Sequence, residues 1–98
     1  MTTKPAMDAI RLSPEDDVAT VLRAVARGET IRVGSGAEVA TIEAIENVPL
    51  CHKIALVPMA AGDRIRKYGE IIGEATQSIR PGAHVHIHNL RSLRARVK

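Results

Sequence analysis

No phenylalanine and no tryptophan occur in this 98-residue sequence, and Tyr68 is its one aromatic residue. A core built around large rings is therefore excluded. Apolar residues still make up 45% of the chain, so burial rests on Ala, Val, Ile and Leu, which suit compact β structure. Such a core is small, and a partner is expected to supply part of the stability. Nucleic-acid binding is disfavoured, because the basic residues come without aromatic stacking partners or a known motif. Cys51 is the sole cysteine, so no intramolecular disulfide can form. Nothing near it in sequence would activate a thiol, and a buried, inert side chain is the expectation. No apolar run approaches the ~18 residues of a membrane span, and the polar start does not read as a secretory leader. A cytoplasmic protein with no membrane partner is expected. No internal repeat is apparent.

Net charge is +3, with Arg91, Arg94, Arg96 and Lys98 gathered at the end and no acid among them. A solvated basic tail is expected there. Ser13-Pro14-Glu15-Asp16 has the form of a helix start, with a Ser cap, Pro at the first helical position and acids in the first turn. Val18, Val21, Leu22 and Val25 follow at helical spacing, and Gly28 supplies a stop. The pattern predicts one helix over 14–27. Elsewhere the apolar segments are short and separated by Gly and Pro turns. Strands are expected over 8–12, 29–33, 37–45, 52–57, 63–67, 71–75 and 83–88. The fold class is thus mainly β with one inserted helix, in a small bent barrel or clip.

Three of the four histidines alternate with apolar residues in His84-Val85-His86-Ile87-His88. On an extended strand they would share one face, with Val85 and Ile87 on the other. Neighbouring imidazoles of that face can converge on one metal ion, though three in a row rarely all reach it. His84, His86 and His88 are the candidate metal ligands, and His52 is a fourth imidazole that spacing cannot place. Lys53 could hold a carboxylate or phosphate as a point charge. Lys67 shares a predicted strand face with Ile65 and would need an anionic partner or a route to solvent. Tyr68 offers a hydroxyl at a turn.

Three segments together carry a resemblance. They are His52-Lys53-Ile54-Ala55-Leu56, then Lys67-Tyr68-Gly69-Glu70-Ile71-Ile72-Gly73-Glu74-Ala75, then Gly82-Ala83-His84-Val85-His86-Ile87-His88-Asn89. In this order they resemble the N-terminal SAF-type domain of the altronate/galactarate dehydratase family. The likeness spans residues 8–90, which leaves 1–7 as a flexible start and 91–98 as the basic tail. It implies an SAF-type β-clip fold. It also implies a divalent metal, iron (Fe2+) or manganese (Mn2+), in the assembled enzyme. Because the chain stops soon after Asn89, it resembles the separate small subunit of a two-subunit enzyme.

The implied reaction is dehydration of a sugar acid, such as altronate or galactarate, to a 2-keto-3-deoxy acid by metal-assisted β-elimination. Most catalytic groups would lie on a large catalytic dehydratase subunit, and the isolated chain would be inactive. His52, Lys53, Lys67, Tyr68 and Asn89 are then candidates for contact with the sugar-acid or hydroxy-acid substrate. His84, His86 and His88 stay the candidates for the metal. No single catalytic residue is assigned. Two alternatives stand beside this one: a subunit of a sulfolactate sulfo-lyase, and a non-catalytic SAF module that binds an anion or a partner protein.

Overall fold

Short segments of two to six residues, most of them carrying Val, Ile or Ala, build strands in this chain. The computed structural model describes residues 7–36 and 38–93. Among them are β1 (Ala9–Ile10), β2 (Val18–Val21), β3 (Thr30–Ser35), β4 (Glu38–Glu43), β5 (Lys53–Ala55), β6 (Arg64–Lys67), β7 (Glu70–Ala75), β8 (His84–Val85) and β9 (Leu90–Ser92). The first sheet has the order β4-β3-β1-β2-β5-β8, and the second the order β6-β7-β9. The architecture is mainly β, as expected. No helix long and apolar enough to cross a membrane is present among the described residues.

The helix predicted over 14–27 is not formed; this stretch is a turn, then β2, then a bend. The cap signal is used, but only for one turn. Ser13 Oγ accepts from Glu15 N–H at 3.4 Å, and Ser13 C=O accepts from Asp16 N–H at 3.0 Å. The apolar spacing arises differently. β2 lies between two cores: Val18 packs with Ala55, Ile65 and Val85, while Ala19 and Val21 pack with Ile31, Val48 and Ile54. A strand buried on both faces loses its alternation and can imitate a helical period. Valine, stiff at χ1, prefers the strand, and Leu22, which a helix would bury, is exposed. The cores themselves are of the expected kind, with Ile31, Ile54 and Ile65 the largest fully buried side chains.

Four turns share one construction. Glu29, His52, Asp63 and Ala83 donate their N–H groups to the carbonyls of Ala26, Pro49, Ala60 and Arg80, respectively. The residue before each donor is Gly28, Cys51, Gly62 or Gly82, with φ of +94°, +72°, +94° and +90°. These turns lead into β3, β5, β6 and β8, and bridges Val25↔Val48 and Met59↔Ile79 tie them in pairs. The absence of a repeat in the sequence is thus corrected at the level of the backbone. Little of a turn's sequence is dictated beyond its left-handed residue, and Cys51 replaces glycine at one of the four. The expectation of a buried Cys51 is corrected too: the thiol is exposed at a turn corner.

The chain beyond residue 90 begins as structure. Arg91 sits on β9, opposite Glu74 of β7, and forms an ion pair with it. The expectation of an unopposed tail is therefore corrected at its start, while residues 94–98 lie outside the described residues, as do 1–6 of the expected flexible start.

Candidate functional site

The site is assembled where β5 meets β8. Their antiparallel register pairs Lys53 with Val85 and Ile54 with His84. One step further out, the same register sets His52 against His86. Their rings stack with centroids 3.8 Å apart and planes 15° from parallel. His52 Nδ1 also lies 2.8 Å from His84 Nε2. Two neutral imidazoles can share such a bond, one as donor and one as acceptor. One ring nitrogen from each of His52, His84 and His86 falls within 4.8 Å of the other two.

The strand predicted over 83–88 ends at Val85. Asn89 is the reason: its Oδ1 accepts from His86 N–H at 2.9 Å, and its Nδ2 donates to His84 C=O at 2.9 Å. These bonds capture ladder groups and fold 86–89 into a turn. Val85 is buried as expected, but Ile87, placed on the same face by the strand reading, is 83% exposed. His88 swings away with the turn. Its ring stays 5.1 Å from that of His84, tilted by 38°, and His88 is outside the convergent trio. Asn89 is buried, with both ends of its amide engaged in the turn. The sequence groups His84 with His86 and His88; the structure groups it with His86 and His52.

Lys53 is half-buried beside this cluster. Burial, then the Lys67 ammonium, lowers its pKa. Lys67 comes from the end of β6, and its Nζ lies 4.5 Å from the centre of the Tyr68 ring. Tyr68 and Gly69 are the two loop residues of the β6–β7 hairpin, with φ of +58° and +77°, the pattern of a type I′ turn. Sequence spacing gave no sign of what fixes this turn. It is Asp16, 3% exposed, whose carboxylate accepts from the N–H groups of Ser13, Tyr68 and Gly69 at 3.2, 2.9 and 2.8 Å. Glu46 was also missed; its Oε1 accepts from His84 N–H at 2.8 Å.

Burial lowers the pKa of His84, followed by the charges of His88, His52 and His86, against Glu46, which raises it. Burial also lowers that of His86, with His52, Lys53 and His88 adding to the effect. Both imidazoles therefore favour the neutral form. The folded chain takes up these protons later than the unfolded chain as pH falls. Their contribution to stability is full above the ordinary histidine value of 6.5 and is lost as pH drops through the lowered values. In chelator, the melting temperature is expected to fall on acidification from pH 7.5 to 5. The fall should be shallower in H84Q/H86Q, and equal slopes for the two proteins would remove the cluster from the acid response.

A cavity of about 650 Å³ borders the histidine turn, lined by Arg27, Glu43, Glu46, Arg80, His88 and Asn89 among others. His52, Lys53, His84 and His86 do not line it. They occupy an open face that a second surface could cover.

Residues 7–93 match the family model described as the altronate/galactarate dehydratase SAF domain. The chain is 36% identical over 83 residues to an altronate dehydratase of Bacillus subtilis, a match covering 85% of this chain and 16% of that protein. An altronate dehydratase of Escherichia coli is 36% identical over 86 residues, covering 88% of this chain and 17% of that one. The alpha subunit of a (2R)-sulfolactate sulfo-lyase from Chromohalobacter salexigens is 40% identical over 52 residues, covering 53% of this chain and 55% of that subunit. The chain thus spans about a sixth of the length of the altronate dehydratases it matches.

Proposed function

From the premise that the chain belongs to the altronate/galactarate dehydratase SAF-domain family, we propose that it serves a lyase which removes water from a sugar acid such as altronate or galactarate. The observation that carries this is Lys53, half-buried beside the imidazoles and within reach of the Lys67 charge. Burial, and after it Lys67, disfavours the charge on Lys53, and among the described residues no acid forms an ion pair with either lysine. An arriving carboxylate would relieve that repulsion and hold the acid at the face as a charge-assisted hydrogen bond.

The face has too few groups for a complete elimination. A base must take the proton α to the carboxylate, and an acid must assist loss of the β-hydroxyl. Glu46 is the carboxylate at the histidines, and it is engaged by His84 N–H. The acid–base groups therefore belong to a large catalytic body, and the open face is where this domain meets it. Relatives named as an alpha subunit support a body on a separate polypeptide.

A divalent metal fits the donor set, since imidazole nitrogens suit divalent transition ions. Such an ion, when bound, supplies polarisation of the substrate carboxylate. This chain's part is to orient the acid through Lys53 and Lys67, with Tyr68 beside them. The same face suits (2R)-sulfolactate, with sulfite as the leaving group, and the likeness to the sulfo-lyase subunits favours that as the second reading.

The test is co-expression with a dehydratase body and assay on both acids. The chain alone is expected to turn over neither acid. In the assembly, Lys53→Met should raise KM by about 10-fold or more, the worth of one hydrogen bond to a charged group. An unchanged KM would take Lys53 out of substrate binding.

A further inference from the structure

We propose that His52, His84 and His86 form a three-nitrogen metal centre carried entirely by this chain, with His88 outside it. It deepens the reading of the same face given above. Because metal binding can be measured without any substrate, the two stand or fall separately.

Distance argues first. An ion with bonds of about 2.0–2.1 Å holds its ligand nitrogens about 2.9 Å apart at right angles and about 3.4 Å apart in a tetrahedron. His52 Nδ1 and His84 Nε2 are already at 2.8 Å, and the trio closes within 4.8 Å. Bringing the third nitrogen in takes a movement of at most about 1.5–2 Å.

Backbone anchoring argues next. His52 is fixed by its N–H to Pro49 C=O at 3.0 Å, in the turn that enters β5. His84 is fixed by the β5–β8 ladder and by Glu46, and His86 by Asn89. The ligands thus stand on three separately held backbone positions, as a preorganised site requires. The rings themselves are free to adjust. Their planes lie 12–21° from parallel, so their in-plane lone pairs do not yet meet. Rotation about χ2 is soft, all three side chains are only partly buried, and turning the rings exchanges a stack for three coordinate bonds. His88 lacks this footing: its turn carries it out of the trio, where its ring faces that of His84 at a tilt.

The donor set selects the ion. Three neutral imidazoles without a carboxylate favour Fe2+, Co2+ or Zn2+ over Mn2+, which prefers oxygen. Of iron and manganese, this site takes iron. Three nitrogens also leave positions open for oxygen atoms of a hydroxy acid, and the ion keeps its full charge next to Lys53.

The untagged chain, stripped with chelator, should be titrated with Co2+ at pH 7.5 and then with Zn2+ as competitor. Expected are saturable one-to-one binding, visible absorption distinct from the hexaaqua ion, and displacement by Zn2+. Ring nitrogen resonances followed during the Zn2+ titration should shift for His52, His84 and His86 and stay in place for His88, a result that needs no variant. H52Q and H86Q should weaken Co2+ binding by at least about 100-fold, above the 10- to 100-fold seen when only an outer partner of a metal ligand is lost. H88Q should stay within about threefold. Absence of binding up to millimolar Co2+ would overturn the proposal. So would a shift of the His88 ring, or a loss in H88Q as large as in H86Q.

Discussion

Gly82→Ala is expected to lower the melting temperature by about 12–24 °C. A methyl group there would land on the carbonyl oxygen of Glu43, with Ile45 N also in close contact. Those atoms cannot yield, because Gly82 is bonded on both sides: its N–H to Ala55 C=O at 2.8 Å, and its C=O to Ile45 N–H at 2.9 Å. Its φ of +90° adds the cost of a left-handed residue, about 1–2 kcal/mol. Together the overlap and the backbone cost about 3 kcal/mol or more, at about 4–8 °C per kcal/mol for a domain of this size. The same turn supplies its own controls. Gly28 and Gly62 have the same backbone but nothing within 4 Å of an added Cβ, so Gly28→Ala and Gly62→Ala should lose only the left-handed cost. Cys51→Gly should gain up to about 1 kcal/mol, because a side chain there opposes the φ of +72°. Calorimetric melts of the four variants check this, and a Gly82→Ala protein melting beside Gly62→Ala would refute the clash. Since Gly82 leads into β8, the variant should also draw His84 away from His52.

Asp16→Ala carries the second large effect. One buried carboxylate serves three backbone N–H groups, those of Ser13, Tyr68 and Gly69. Each donor left without an acceptor costs about 1–3 kcal/mol, and the losses are not additive. About 3–4 kcal/mol is expected in all, a large share of the ~5–15 kcal/mol available to a domain. Asp16→Asn does not rescue it, because an amide NH2 would face a backbone N–H. The turn that opens is the one that places Lys67, so substrate affinity in the assembled enzyme should weaken with stability. Urea denaturation followed by circular dichroism gives the first number. Fluorescence of Tyr68, the sole aromatic residue, reports the turn directly. Stability of Asp16→Ala within 1 kcal/mol of the parent would show that water replaces the carboxylate, and the positioning argument would fail.

The strands were legible wherever turns bracket them. β3, β4, β6 and β7 fall within two residues of the segments that Gly and Pro delimit, and the core is the aliphatic one that missing rings require. The helix over 14–27 misled for a definable reason. A cap motif with Val18, Val21 and Val25 after it describes a helix just as well as a strand facing two cores, and only the presence of the second core separates them. The histidines divided in the same way. His84 and His86 could be paired from sequence because they are two apart. His88 was lost from the set because Asn89, one residue on, bends the chain. His52 could not be added, because the partner strand that sets it against His86 is more than thirty residues away in sequence.

By itself, then, the sequence determined composition, core type, most strand positions and the family, all of which depend on local patterns or on whole segments read in order. The tertiary structure decided which imidazoles face each other, which carboxylate braces the lysine turn, and that one turn recurs four times with Cys51 at a glycine's place. These are matters of register and close approach. They arise when distant segments pack, and residue spacing along the chain carries no record of them.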